Sequence, residues 1–201
     1  MPLLREAYTA ADSDQAKLTY AHILGIMGDP AGAGTLVEAV KTREWDKGWK
    51  YTGMGQYGPS MSVLDSLIIA LGRTRRNEAL EPILAKVQGL GSNDVLSHHR
   101  AVAMALEALA SPSAAKPLAE LLQRPGMAGH AYPDLNVATR NIPASPEDTS
   151  TRECSLRELI LARALYRCGD YDGLGEKILK EYAQDLRGHY ARHALAILKE
   201  K

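Results

Sequence analysis

The chain has 201 residues, of which 45% are hydrophobic and 24% charged, and its 24 Lys and Arg balance 24 Asp and Glu to a formal net charge of zero. This is the composition of one soluble folded domain spanning 1–201. The charge balance excludes the broad basic footprint that nucleic acid or an anionic membrane surface selects. The longest apolar run, Leu67-Ile68-Ile69-Ala70-Leu71, falls far short of the roughly 18–20 residues of a membrane span. For the chain as it stands, the start Met1-Pro2-Leu3-Leu4-Arg5-Glu6 has no signal-peptide pattern, so a cytoplasmic location is expected.

In chain order, Pro2 opens a short amphipathic helix with Leu3, Leu4, Ala7 and Tyr8 on one face. Ser13 or Asp14 caps the next helix, which reaches Leu24-Gly25-Ile26-Met27-Gly28-Asp29-Pro30 and is followed by a second apolar helix through Leu36, Ala39 and Val40. A connection over 43–60 follows, carrying both tryptophans, Trp45 and Trp49, together with Tyr51 and Tyr57. Ser60 or Ser62 then precedes the run 63–71, apolar enough to pass for a buried strand. The serines before it, Gly72 just after it and a helical partner over 77–87 make it a helix.

Ser97 begins a third pair, whose first helix reaches Leu106 and whose second holds Pro117-Leu118-Ala119-Glu120-Leu121-Leu122. The connection over 124–149 is rich in Pro and Gly, with one short helix expected over 134–141. Ser150-x-x-Glu153 has capping-box spacing and opens a fourth pair through Leu165-Tyr166-Arg167-Cys168-Gly169-Asp170, Ile178, Leu179 and Tyr182. A last helix over 189–200 aligns Ala191, Ala194, Leu195 and Leu198.

Leu24, Leu71, Leu106 and Leu165 therefore head equivalent phrases 47, 35 and 59 residues apart. A helix pair of this length cannot bury its apolar face alone, so the copies must stack. The predicted fold is all-α, an α-α superhelix of about four helix pairs plus terminal helices. Both long connections join a second helix to the next first helix, which places them on one edge.

Loops of this length inside a compact domain are usually functional or disordered; the aromatic residues of the first argue against disorder, and a mobile stretch is expected in the second. The predicted binding set lies there: Trp45, Asp46, Trp49, Tyr51, Gln56, Tyr57, His98, His99, Arg100 and His130. Aromatic side chains would supply contact area and the histidines polar specificity. Gly53-x-Gly55-x-x-Gly58 matches a dinucleotide fingerprint in letters only, because no strand precedes it and no strand-helix alternation exists in the chain. His189 and His193 share a helix face, with Asp185 one turn earlier, and form a weak candidate metal pair lacking the glutamate of the zinc-protease motif. Arg152, Arg163 and Arg167 form a stripe that reads as a solvated face or as a receiver of an acidic partner. Cys154 and Cys168, fourteen residues apart on one helix, are too distant for a disulfide. No catalytic residue is assigned.

The phrase Leu-x-x-Leu-Gly-x-x-Gly-Asp-Pro followed by an apolar helix resembles the HEAT-like repeats of the phycobilisome-lyase type. A second resemblance covers nearly the whole chain. Its carriers are Trp45-Asp46-Lys47-Gly48-Trp49-Lys50-Tyr51-Thr52-Gly53-Met54-Gly55-Gln56-Tyr57-Gly58, the stretch from Leu64 to Thr74, Ser97-His98-His99-Arg100-Ala101-Val102-Ala103, Arg124-Pro125-Gly126-Met127-Ala128-Gly129-His130-Ala131, and the stretch from Asp185 to Ala194. Together they resemble the C-terminal helical-repeat region of bacterial FAD-dependent oxidoreductases. That resemblance implies a non-catalytic accessory or partner-binding domain, with FAD held by a separate nucleotide-binding domain and no cofactor in this chain. The expected partner is a protein or an upstream flavin domain. The alternative is an independent enzyme or small-ligand-binding protein with its site on the loop edge.

Overall fold

The computed structural model describes residues 1–46, 62–143, 145 and 148–200. Among these the fold is all-α: helices α1 (Pro2–Ala10), α2 (Asp14–Ile26), α3 (Ala33–Thr42), α4 (Val63–Arg73), α5 (Leu80–Gln88), α6 (Leu96–Leu109), α7 (Ala115–Leu122), α8 (Leu135–Arg140), α9 (Ser150–Arg167), α10 (Leu174–Ala183) and α11 (Gly188–Leu198). The pairs α2/α3, α4/α5, α6/α7 and α9/α10 are the four repeats. Their first helices stack in the order α2, α4, α6, α9, while α3, α5 and α7 form a second row; α1 packs on α2, and α11 on α10.

The register of the repeat is visible in the backbone. Leu24, Leu71, Leu106 and Leu165 are all fully buried, and the fourth residue after each, Gly28, Arg75, Ala110 and Gly169, has a positive φ. That residue turns the chain out of the first helix. Three pairs then continue through a 3-10 turn, Pro30–Gly32, Asn77–Ala79 or Pro112–Ala114. Pro82 and Pro117 sit in the first turn of the second helices, where a missing N–H costs nothing.

The apolar run of α4 is helical because α4 lies between α2 and α6 and against α3 and α5. A helix enclosed on so many sides is apolar nearly all round. Two glycines permit this closeness. A Cβ on Gly25 would stand 2.8 Å from the Ala70 carbonyl oxygen, and one on Gly72 would stand 2.4 Å from the Ala105 Cα. Gly72 is thus a packing residue inside α4 rather than the stop expected after it.

The helix starts divide. Ser13 accepts from the Ala16 N–H, and Ser62 forms a full capping box with Asp65. Ser97 caps nothing: α6 starts at Leu96 and Ser97 is buried in its first turn. Ser150 lies inside α9, whose N-cap is Thr149 without a side-chain cap. Of the two predicted connections, 47–61 lies outside the described residues, and the second holds the short α8, capped by Asp134.

Gly72→Ala should lower stability by about 1–3 kcal/mol through overpacking against Ala105, although alanine is the better helix former by about 1 kcal/mol. Ala110→Gly should raise stability by up to about 1 kcal/mol by relieving its left-handed backbone. Urea unfolding measures both. A neutral or stabilising Gly72→Ala would mean that α4 and α6 are further apart than described.

Candidate functional site

The edge where second helices lead into the next first helices is built from four backbone segments: 43–46, 89–95, 124–132 and 185–187. Each is held largely by side chains, with one backbone bond, Leu186 N–H to the Tyr132 carbonyl at 2.9 Å, joining the last two.

At the first segment, the Asp46 carboxylate accepts the N–H groups of Val63 (2.9 Å) and Leu64 (3.3 Å), the opening amides of α4. Trp45 lies on the His98 imidazole with centroids 4.2 Å apart and planes 28° apart. The Lys86 ammonium donates to the Arg43 carbonyl. His98, in the first turn of α6, places Nδ1 2.6 Å from Oδ1 of Asp65, whose other oxygen accepts the Ser62 N–H. Asp65 is fully buried. Burial pushes its carboxyl up, but the His98 ring and the Ser62 amide outweigh this and hold it below the usual carboxylate value. An ionised Asp65 accepts only, so Nδ1 of His98 carries the proton and Nε2 is the nitrogen left for acid–base or hydrogen-bonding work.

His99 does something else. Its Nδ1 donates to the Val95 carbonyl at 3.1 Å, its Nε2 is buried without a hydrogen bond, and burial lowers its pKa to about 4. It is a neutral core residue. Arg100 is exposed.

The second connection is anchored by a pair one repeat along. Arg157 and Glu158 stand eight and seven residues before Leu165, as His98 and His99 stand before Leu106. The buried Arg157 donates to the Ser92 carbonyl (2.7 Å) and the Gly126 carbonyl (3.3 Å). Glu158, fully buried, accepts the N–H groups of Gly129 and His130 at 2.8 Å each and the Tyr182 hydroxyl at 2.9 Å. Burial and the Glu158 charge push the Tyr182 phenol well above its usual value. Asp185 accepts the Tyr132 N–H, and Arg187 binds Asp185, the Ser155 hydroxyl and the His130 carbonyl. The His130 ring bonds the Gly126 carbonyl.

The structure thus brings Trp45, Asp46 and His98 together, places His99 beneath them in the core, and puts His130 in the neighbouring Glu158 anchor. Trp49, Tyr51, Gln56 and Tyr57, with the Gly53 to Gly58 glycines, lie outside the described residues. Asp65, Glu158 and Arg187 had not been singled out; the one signal was polar residues at the same register before Leu106 and Leu165.

Elsewhere, His22 on α2 pairs its Nε2 with the Ser66 hydroxyl of α4 at 2.7 Å, and burial lowers its pKa. His193 accepts from Arg163 at 3.4 Å, His189 is exposed, and Asp185 is committed to Tyr132 and Arg187. Among the described residues no three His, Cys, Asp or Glu side chains converge on a metal position. The arginine stripe divides: Arg163 is half-buried against Glu107 of α6, while Arg152 and Arg167 are exposed, as a solvated face requires, with Arg167 paired at the surface to Glu107 and Glu200. Both cysteines are free, and burial pushes the Cys168 thiol up to about 12. No described helix is long and apolar enough to cross a membrane.

No protein-family model and no curated protein matches the chain. Among solved structures, it is similar to the complex of CpcE and CpcF of phycocyanin lyase from Nostoc sp. PCC7120, at 20% sequence identity and a TM-score of 0.47, over 98% of this chain and 76% of that one.

The His99 assignment has a pH signature. Its pKa falls from 6.5 unfolded to about 4 folded, so the unfolded state takes up the proton first and stability drops as pH falls below 6.5. Between about pH 7 and about pH 5 this residue should account for a loss of about 2 kcal/mol. His22 and His193 are shifted the same way and remain in His99→Leu, so the difference between wild type and variant isolates it. Equal pH slopes in urea unfolding would show that His99 is solvated.

Proposed function

We propose that the chain is a non-catalytic helical-repeat domain that docks a protein partner through the loop edge. The carrying observation is that this edge is rigid: charged side chains with little or no exposed surface, Asp65, Arg157, Glu158 and Asp185, are spent on fixing connections instead of sitting in solvent. Binding residues work best on loops held by a scaffold, and an edge held in one shape loses little entropy on association. Trp45, Arg100 and the aromatic residues Trp49, Tyr51 and Tyr57 are the proposed contact surface.

The nature of the partner follows from the sequence resemblance. The five stretches that resemble the C-terminal region of FAD-dependent oxidoreductases supply Trp45, Asp46, Asp65, His98, Gly129, His130, Asp185 and Arg187, several of the residues that tie this edge together; Arg157 and Glu158 lie outside those stretches. A flavin domain is therefore the proposed partner, and it would hold the FAD. The second reading, a small-ligand or catalytic site at the same edge, is favoured by the Asp65–His98 pair, which leaves one imidazole nitrogen oriented beneath Trp45.

Photo-crosslinking amino acids at Arg100 and Pro125 on the loop edge, and at Arg75 and Ser113 on the opposite edge, separate these readings. The loop-edge positions should trap one discrete flavoprotein in the cells that make the protein, and the isolated chain should show no heat of binding with FAD or NAD. Trapping from Arg75 and Ser113 instead would place docking elsewhere. Stoichiometric FAD binding by the isolated chain would overturn the non-catalytic assignment.

A further inference from the structure

A cavity of about 590 Å³ opens where α8, the start of α9 and the start of α11 meet; its walls include Tyr132, Tyr190, Arg152, His189, Ile142 and Pro143. The volume lies within the usual range for small-molecule pockets. The two tyrosines form one structure with Arg187, whose guanidinium carbon sits 3.7 Å from the Tyr132 ring centroid and 4.6 Å from that of Tyr190. The Asp185 carboxylate, the Ser155 hydroxyl and the His130 carbonyl commit four of the five Arg187 N–H groups. Both rings are thereby clamped before any ligand arrives.

The charge on the walls is one-sided. Arg152, Arg187 and His189 are the lining residues that carry or accept positive charge, and no described lining residue is acidic. Arg187 is neutralised by Asp185, which leaves Arg152, in the first turn of α9, as the principal cation. Its field reaches the Tyr190 phenol, which burial raises above its usual value while Arg187 and Arg152 pull it down. Ile142 and Pro143 close the apolar side. The larger groove beside α10 has the opposite character: Glu176, Lys177, Lys180 and Glu181 line it together, and Lys180 pairs with Glu176 at 2.8 Å.

We infer that the Tyr132–Tyr190–Arg152 cavity binds a small organic anion, a carboxylate or phosphate carried on an aromatic or cyclic body, with the oxyanion at Arg152 and His189 and the ring against Tyr132, Ile142 and Pro143. A guanidinium fork suits planar or tetrahedral oxyanions, and flat apolar walls suit a ring. The cavity takes Tyr132 and Arg187 from the same edge but neither Trp45 nor Arg100, the described residues of the proposed contact surface, so its test does not depend on docking.

Phenyl phosphate and benzoate are the probes, with inorganic phosphate and phenol as half-ligands, followed by amide chemical shifts on the whole chain. At least one of the two probes should bind saturably and move the amides of Thr151, Arg152, His189 and Tyr190, and both half-ligands should bind roughly tenfold more weakly or worse. Arg152→Ala should weaken the probe roughly tenfold, and Ile142→Glu, a change at an exposed position, should abolish binding while leaving the thermal melt unchanged. Shifts mapping elsewhere, phosphate or phenol binding as well as the probes, or an Arg152→Ala variant that binds normally would each overturn the assignment.

Discussion

A carboxylate with no exposed surface must be compensated where it sits, because an unpaired buried charge costs several kcal/mol. Glu158 meets that requirement with two backbone amides and one phenol, all at normal hydrogen-bond lengths. The rest of this edge depends on the bargain: Gly129 and His130 are pinned to α9, the Tyr132 segment follows them to Asp185, and Leu186 returns its N–H to the Tyr132 carbonyl. Arg157 reaches in the other direction, to the turn before α6. Removing the Glu158 carboxylate would strand two amides and leave the Tyr182 hydroxyl only the Ser155 carbonyl at 3.2 Å.

The uneven repeat now has a physical reading. The helix pairs are conventional, with a buried leucine, a left-handed residue four positions on and a tight turn into the second helix. The irregularity sits in the connections, where a standard solenoid would use a few residues. Extra chain on a solenoid edge either floats or must be bound, and the described parts of these connections are bound by groups at the helix starts: the Val63 and Leu64 amides, His98, Arg157 and Glu158. The same register that places apolar residues in the core places these groups under the incoming loop.

How much of this was legible in the sequence follows from the range of each interaction. The repeat leucines, the Ser62 cap and the short helix after Asp134 are local patterns, and local patterns survive in a linear reading. The contact of Asp65 with His98 spans 33 residues and that of Glu158 with Gly129 spans 29; neither has a period to betray it. Ser150 shows the converse error, since a serine with capping-box spacing looks like a cap whether or not its hydroxyl meets an amide. Gly72 looked like a terminator because the closeness of α6 is a tertiary fact. Similarly, Arg163 of α9 reads as solvated in the sequence, because Glu107 opposite it lies 56 residues away.

The functional account rests on the claim that this edge is fixed by side chain to backbone bonds. Amide hydrogen exchange tests that directly. Val63 and Leu64 head a helix, and Gly129, His130 and Tyr132 belong to a connection, so without partners all five would exchange at the rate of open chain. With Asp46, Glu158 and Asp185 as acceptors, they should be protected to nearly the extent of the α4 and α6 interiors, and Glu158→Gln should release Gly129 and His130 first. Open-chain exchange at these amides in the wild-type protein would contradict a preformed edge.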